Sequence, residues 1–413
     1  MYLVLRTAAK PLFCQVKLIL FAGWFFPILS CISFKQTSNA VSSFAPNLSV
    51  AIYTRFSLEG PYLDFWIRHY QRLGFNHIVA LQDGPVIGLE DLVQRYGRSY
   101  LDIHQVPRSS SGKRTMGPHH FLGAYQNLVL SKGFDWVFAV DADEFLVLPS
   151  RLKSIQQFVS AIELEQGRID AVQFRWAVIH DLKPFCSEQT FPEYLHTVSV
   201  YPNRHVKTMV RTAMLDKGYK SFLPVEHTPH MKSNSRVYFE GTVLSSRAMR
   251  ALYRLSYNHS YQGAFLVHMQ TRSLSSLIAG AYFNAGIGKS IASAASLVDL
   301  LRGSSPRLWN QFQSCIGLKA RLISEEVGCR LRDDSTKSCS PAAPIRLLLP
   351  NIHHAYTLPP LPICNRTLER LQNRALLQRL GVSEGDLEAS MNSVSLDFVR
   401  QQRHCCPHVP IPF

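Results

Sequence analysis

The sequence predicts an α/β protein built on a mixed, mostly parallel β-sheet that is flanked by helices. From residue 48 onward, runs of β-branched and aromatic residues alternate with helical patterns. The run from Trp136 to Val140 is apolar throughout, which is typical of a strand buried on both faces of a parallel sheet. With 413 residues, of which 46% are hydrophobic, the chain can fill one large core or two.

The first elements show this alternation most clearly. Residues 48–54 form a β-type run, and Gly60-Pro61 then opens a helix, because proline is tolerated in the first helical turn. Gly74 is expected to cap the end of that helix, and residues 77–82 form the next strand. This strand–helix–strand unit is expected to be right-handed. Its aromatic residues at helical spacing are expected to face the core: Tyr62, Phe65, Trp66 and Tyr70.

The same patterns place the later elements. Further strands are predicted over 101–106, 136–140, 169–179, 205–214 and 263–269. Further helices are predicted over 121–130, 155–165, 368–380 and 387–402.

Three acidic residues follow the apolar run 136–140 directly, although carboxylates beside a core strand are costly unless something neutralises them. Asp141 and Asp143 are two apart, so on an extended segment their carboxylates would point the same way. Ligands of open α/β sheets lie beyond the carboxyl ends of strands. Paired carboxylates there suit a hard divalent cation that also binds substrate phosphates. The alternative is an acidic hairpin turn whose carboxylates face water or cap the backbone.

The segment Asp141-Ala142-Asp143-Glu144-Phe145 resembles the Asp-x-Asp-Glu-Phe signature of GT-A-fold glycosyltransferases, in particular of families 2 and 92. The resemblance covers roughly residues 48–282. It implies a GT-A-type, Rossmann-like fold, a nucleotide-sugar donor, and Mn²⁺ or Mg²⁺ as cofactor. Earlier positions fit the same likeness: Glu59, Trp66, His69, Leu73-Gly74-Phe75 and Asp83.

The resemblance also implies roles for individual residues. The metal would be held by Asp141, Asp143 and His268, with Asp141 acting on the ribose or through water. The nucleotide-sugar would contact Glu59, Asp83, Asp141 and Arg272. Two of these have a simpler alternative: Glu59 can be a favourable charge at a helix start, and His268 can be a structural histidine at a strand end.

The acceptor side of the predicted site is less sharply marked. Trp176 would stack on an acceptor sugar, unless it is a core tryptophan. An inverting transfer needs a carboxylate to accept the proton of the acceptor hydroxyl, and the candidates are Asp181 first and Glu226 second. The strand at 205–214 carries Lys207 and Arg211, at positions that resemble a Lys…Arg strand of the family.

The N-terminal residues predict a membrane anchor. Residues 1–17 carry basic residues and no acidic ones, and residues 18–34 are uncharged and apolar, the order of a single-pass signal anchor. Such an anchor would place the protein in the Golgi or ER lumen of a eukaryote, or at the cell membrane of a bacterium. The net charge of +15 favours anionic partners, but scattered basic residues without interleaved aromatics argue against nucleic acid.

We therefore expect an N-terminal basic segment, anchor and linker (1–46), a GT-A domain (47–282) and a helical or irregular C-terminal extension (283–413). The nine cysteines include no Cys-x-x-Cys pair, which argues against zinc; disulfides and buried thiols are both open for the C-terminal cysteines.

The predicted activity is metal-dependent transfer of a sugar, with inversion, from a nucleotide-diphosphate donor to a glycan or other hydroxyl acceptor. The alternatives are a nucleotidyltransferase-like metal–phosphate enzyme and an inactive, membrane-anchored glycan-binding relative.

Overall fold

The structure is a computed structural model that describes residues 14–21, 24–31, 48–84, 86–106, 130–149, 151–179, 189–197, 200–215, 235–245, 263–269, 273, 363–378, 383 and 385. The chain divides into two compact units, Met1–Ala45 and Pro46–Phe413.

The described residues of the first unit form two antiparallel strands, β1 (Cys14–Phe21) and β2 (Trp24–Cys31). The sequence predicted a membrane anchor over 18–34; the described residues of that range lie in strands, because Pro27 opposes a continuous helix while the aromatic and β-branched residues favour strands. Across the described part of the chain, no helix combines the length and apolar character needed to cross a bilayer. The membrane anchor and its localisation stay predictions.

The second unit is organised around one mixed sheet. Its strands are β3 (Val50–Phe56), β4 (His77–Gln82), β5 (Leu101–Gln105), β6 (Trp136–Ala139), β7 (Glu144–Val147), β8 (Ala171–Ile179), β9 (Val200–Arg211), β10 (Arg236–Phe239), β11 (Thr242–Ser245) and β12 (Phe265–His268). The order along the sheet is β11-β10-β8-β9-β6-β3-β4-β5, and β12 pairs with both β7 and β8.

The direction of the strands places the carboxyl ends of several of them at one edge of this sheet. Among the described strands, β3, β4, β5 and β6 run parallel to one another, and β8 is parallel to β10 and β12. Strand β9 runs antiparallel between β6 and β8. The carboxyl ends of β3, β4 and β6 therefore meet at the same edge, where ligands of such sheets lie.

Helices flank the sheet: α1 (Gly60–Arg72), α2 (Leu89–Tyr96), α3 (Ile155–Gln166), α4 (Phe191–Thr197) and α5 (Arg366–Gln378). The predicted fold class, a mostly parallel mixed sheet flanked by helices, is confirmed. All four aromatic residues expected on the inner face of α1 are buried in the main core. Gly74 follows α1 with φ +85°, as its predicted capping role requires.

Helix α5 is the described part of the C-terminal extension, and it docks on the start of α1. The Asn365 N–H donates to the Pro61 carbonyl at 2.8 Å, and the Gln372 side-chain amide donates to the Leu58 carbonyl at 2.5 Å. Cys364 is buried and disulfide-bonded, so the disulfide alternative holds for this cysteine. The predicted helices at 121–130 and 387–402 lie outside the described residues.

His69 makes the stability of this core dependent on pH. Burial, helped by the nearby charge of Arg72 and only partly opposed by a hydrogen bond to the Leu146 carbonyl, lowers the pKa of His69 to about 3. His69 of the unfolded chain binds a proton near pH 6.5, and His69 of the folded chain does not. The contribution of the neutral, buried His69 to stability is therefore fully present above that pH and is lost as pH falls toward 3. We expect His69 to account for a loss of about 2 kcal/mol between pH 7 and pH 5.

Urea unfolding at several pH values checks this expectation. His69→Gln keeps a side-chain donor for the Leu146 carbonyl but does not titrate. The unfolding free energy of the variant should therefore depend less steeply on pH. Equal slopes for the two proteins between pH 7 and pH 5 would contradict the prediction.

Candidate functional site

A tight turn joins β6 to β7 and carries the acidic residues. The Asp141 N–H donates to the Glu144 carboxylate at 2.8 Å, and the Glu144 N–H donates to the Asp141 carbonyl at 3.1 Å. The segment is therefore not extended, whereas the predicted common orientation of the Asp141 and Asp143 carboxylates required an extended segment. These bonds replace strand pairing because the chain must reverse direction between β6 and β7. As a result the two aspartates have different neighbours.

Helix α1 fixes the position of this turn. The Trp66 indole N–H and the Tyr70 hydroxyl both donate to the Glu144 carbonyl oxygen, at 2.9 Å and 3.0 Å. Both aromatic side chains are fully buried, and Trp66 packs edge-on against Phe56 of β3. The turn is thus tied to the core through its backbone.

Strand β12 brings His268 to Asp143. His268 lies opposite Glu144 in the antiparallel β7–β12 pair, and the Met269 N–H donates to the Asp143 carbonyl at 2.8 Å. This register places the His268 Nε2 3.5 Å from the Asp143 Oδ2. The imidazole is buried and the carboxylate is partly exposed, so the pair lies at the border between core and solvent.

Lys207 of β9 reaches the same turn from the other side. Its Nζ lies 2.7 Å from the Asp141 Oδ2 and 3.4 Å from the Glu144 Oε2. Burial raises the pKa of the Glu144 carboxyl well above its usual range, although the Lys207 charge opposes the rise. Burial alone would lower the pKa of Lys207, but Asp141 and Glu144 more than offset it, so its pKa is raised and the ammonium stays charged.

Trp176 lies next to His268 and Lys207. Its ring centroid is 4.1 Å from that of His268 and 5.1 Å from that of His205, and the His205 ring is stacked on it. The β8–β9 register shifts between Arg175 and Ala177, so Trp176 lies at a bulge, a feature common beside functional sites. Trp176 is only 6% exposed, so an acceptor sugar could stack on it only if a histidine ring moved.

The predicted nucleotide contacts lie at the same sheet edge. Asp83 directly follows β4; its carboxylate is buried and lies 3.4 Å from the Arg55 guanidinium. Neighbouring strands are about 5 Å apart, so the ends of β4 and β6, with β3 between them, are about 10 Å apart. Glu59 precedes α1, and its carboxylate accepts a hydrogen bond from the Ser57 N–H.

Three predicted site residues, Asp181, Glu226 and Arg272, lie outside the described residues. Two residues of the site were missed as such: Glu144, and Lys207, which the sequence marked only as part of a strand. An acid adjoining a core strand and a lysine within a predicted strand are the signals that pointed to them.

The geometry of Asp143 and His268 fits a shared divalent ion. Two ligand atoms that each lie about 2.1 Å from one ion are about 3.0 to 3.4 Å apart. The observed 3.5 Å needs only a small adjustment. Among the described residues, no group of three or more His, Cys, Asp and Glu could hold a metal. The pair therefore suits an ion that takes its remaining ligands from water and substrate phosphates, as Mg²⁺ commonly does.

Fold and site together define a mixed α/β protein with a carboxylate–histidine pair and a buried lysine at the carboxyl edge of a parallel sheet. No family model matches the chain, and no curated protein matches it.

Solved structures resemble the chain weakly. A mycobacterial protein matches at 14% identity over 34% of this chain and 45% of its own, with a TM-score of 0.24. Glucosyl-3-phosphoglycerate synthase from Mycobacterium tuberculosis, solved with Mn²⁺, uridine-diphosphate and glucosyl-3-phosphoglycerate, matches at 13% identity over 44% and 63%, with a TM-score of 0.26. The 4-diphosphocytidyl-2C-methyl-D-erythritolsynthase of Anaerococcus prevotii DSM 20548 matches at 10% identity over 41% and 73%, with a TM-score of 0.20. The matches span about half to two thirds of the first two chains, and likenesses this weak do not decide the function.

Proposed function

We propose that the protein is a metal-dependent glycosyltransferase that moves a sugar from a nucleotide-diphosphate donor to a hydroxyl of a glycan or other acceptor, with inversion. The observation that carries the proposal is the 3.5 Å approach of Asp143 and His268, from segments far apart in the sequence. A bound Mn²⁺ or Mg²⁺ would neutralise the negative charge that develops on the leaving diphosphate.

The placement of the pair supports a nucleotide-diphosphate donor. With two protein ligands, the site keeps coordination positions for phosphate oxygens. Asp83 follows β4, whose end is about 10 Å from the end of β6, a distance that a nucleoside diphosphate can span between its base or ribose and its phosphates. Asp83 and Glu59 would orient the nucleoside, and Arg272 would contact phosphate. Asp141 would face the ribose.

The acceptor half of the proposal rests on the sequence. Asp181 or Glu226 would accept the proton of the attacking hydroxyl, on the side of the sugar opposite the diphosphate. Trp176 would border the acceptor if a neighbouring histidine ring moved. The N-terminal segment would attach the enzyme to a membrane.

A panel of nucleotide-sugars, incubated with the full chain and Mn²⁺, tests the proposal. We expect one donor to release nucleoside diphosphate, and EDTA to stop the release until metal is returned. Release of pyrophosphate from a nucleoside triphosphate and sugar phosphate would instead identify a nucleotidyltransferase. Donor binding without any release would identify a glycan- or nucleotide-binding relative, and either result would overturn the proposal.

A further inference from the structure

We propose that Asn365 carries an N-linked oligosaccharide. The residue opens the tripeptide Asn365-Arg366-Thr367, which is an acceptor sequence for N-glycosylation because its third residue is threonine and its second is not proline. Such tripeptides arise often by chance, so the sequence alone carries little weight. The proposal rests on where the folded chain places this asparagine, and it does not depend on the proposed function.

Asn365 lies on the surface, directly before helix α5. Asn365 and Thr367 are both exposed, whereas the preceding residues Ile363 and Cys364 are buried. A chain modified at this position folds only if the folded structure has room for the sugar. Exposure provides that room, because a bulky and strongly hydrated glycan can then extend into solvent.

The two polar atoms of the Asn365 side chain have separate roles. The carbonyl oxygen Oδ1 accepts a hydrogen bond from the Leu368 N–H at 3.1 Å, so it caps the first turn of α5. The amide nitrogen Nδ2, the atom that would carry the sugar, donates no hydrogen bond to any residue that the structure describes. An N-linked sugar leaves the carbonyl oxygen in place, so the modified side chain still caps the helix.

The backbone holds Asn365 in position without help from the amide nitrogen. Its N–H donates to the Pro61 carbonyl of α1 at 2.8 Å, and its carbonyl accepts from the Glu369 N–H at 2.9 Å. Neither bond involves the side chain. A sugar on Nδ2 therefore leaves these contacts between α5 and α1 intact.

The disulfide at Cys364 indicates the cellular compartment in which this modification occurs. Cys364 directly precedes the acceptor asparagine and is disulfide-bonded. Disulfides form and persist in oxidising compartments such as the ER lumen and are rare in the cytosol. In eukaryotic cells the ER lumen is also where N-glycosylation takes place, with a lipid-diphosphate-linked oligosaccharide as the donor. The disulfide and the acceptor sequence therefore point to the same compartment.

The transfer needs no oxidant or reductant. The Nδ2 atom gives up one proton and forms a bond to C1 of the first sugar, while the bond between C1 and the diphosphate oxygen breaks. The lipid diphosphate leaves with the bonding electron pair, and the proton passes to solvent. The lipid-linked oligosaccharide is thus the one co-reactant that the step requires.

Peptide mass spectrometry of the full chain, expressed in a eukaryotic cell that secretes glycoproteins, tests the proposal. An amidase that releases N-linked glycans converts the modified asparagine to aspartate, and heavy-oxygen water labels the converted residue. We expect the peptide that contains Asn365 to carry a glycan before release and the label after it. Alkylation before and after reduction reports, in the same sample, whether Cys364 is oxidised.

Three substitutions separate the acceptor tripeptide from the helix cap. Asn365→Asp keeps a capping oxygen but has no amide nitrogen, and Thr367→Ala keeps the asparagine but destroys the acceptor sequence. Thr367→Ser is the matched control, because serine preserves that sequence. We expect complete loss of the glycan at this position in the first two variants and its retention in the third. Two other acceptor sequences, at Asn47 and Asn258, begin outside the described residues, and the peptide measurement reads them separately.

An unmodified Asn365 in protein whose Cys364 is oxidised would overturn the proposal, because the chain would have reached an oxidising compartment without being modified. An unmodified Asn365 beside a free Cys364 thiol would overturn it as well, since the chain would then lack the environment that the proposal requires. Retention of the sugar in Thr367→Ala would also contradict it, because the attachment would not use the tripeptide.

Discussion

Asp143→Ala is expected to abolish metal-dependent release of nucleoside diphosphate while the protein stays folded. The change removes one of the two side chains that approach each other at 3.5 Å. The loss should exceed the roughly 10- to 100-fold that removal of an outer-shell partner costs, because a direct ligand is lost. Turnover with saturating donor and a series of Mn²⁺ concentrations measures the effect.

The folded state should tolerate this substitution, because the Asp143 side chain lies outside the strands and is partly exposed. Its matched control is Asp135→Ala, at the opposite end of β6, where the carboxylate accepts hydrogen bonds from the backbone and hydroxyl of Ser49. This control should lose about 1 kcal/mol of stability and no activity. Normal turnover by Asp143→Ala would show that the metal-site assignment is wrong.

Lys207→Met is expected to have the largest effect on stability of any change at the site. It leaves the fully buried Glu144 carboxyl without its cation, and breaking a buried pair in this way costs about 3 to 5 kcal/mol where the carboxyl is ionised. Adding Glu144→Gln removes the buried charge and should recover most of that loss. Urea unfolding of the two single variants and the double variant measures the coupling.

A second lysine provides the control for this measurement. Lys132 lies 2.8 Å from Asp102, with the two side chains 33% and 22% exposed, so Lys132→Met should cost no more than about 1 kcal/mol. A comparably small cost for Lys207→Met, or no recovery with Glu144→Gln, would show that Lys207 does not neutralise Glu144.

The strands and helices of the main core could be predicted because they carry complete hydrophobic patterns. The predicted strand 77–82 matches β4, and the predicted helix 155–165 matches α3 to one residue. Boundaries that depend on a partner were less accurate. Strand β9 begins at Val200, five residues before its predicted start, because pairing with β8 extends it across Pro202, Asn203 and Arg204, which interrupt the strand pattern.

The site was predicted only in part, for a similar reason. The pattern after Val140 located Asp141 and Asp143 at a sheet edge, but it implied an extended segment with equivalent carboxylates. The structure gives a turn, in which Asp141 faces Lys207 and Asp143 faces His268. No local pattern can distinguish the two aspartates, because their partners come from β9 and β12, many residues away.

By itself, the sequence determined that acidic residues follow a core strand and which kind of sheet contains that strand, since apolar strand runs followed by charge are local properties of the chain. Only the tertiary structure decided which cation each carboxylate meets. That choice depends on antiparallel strands that enter the sheet late in the chain. The register of those strands places a buried lysine beside one carboxylate and a histidine beside the other.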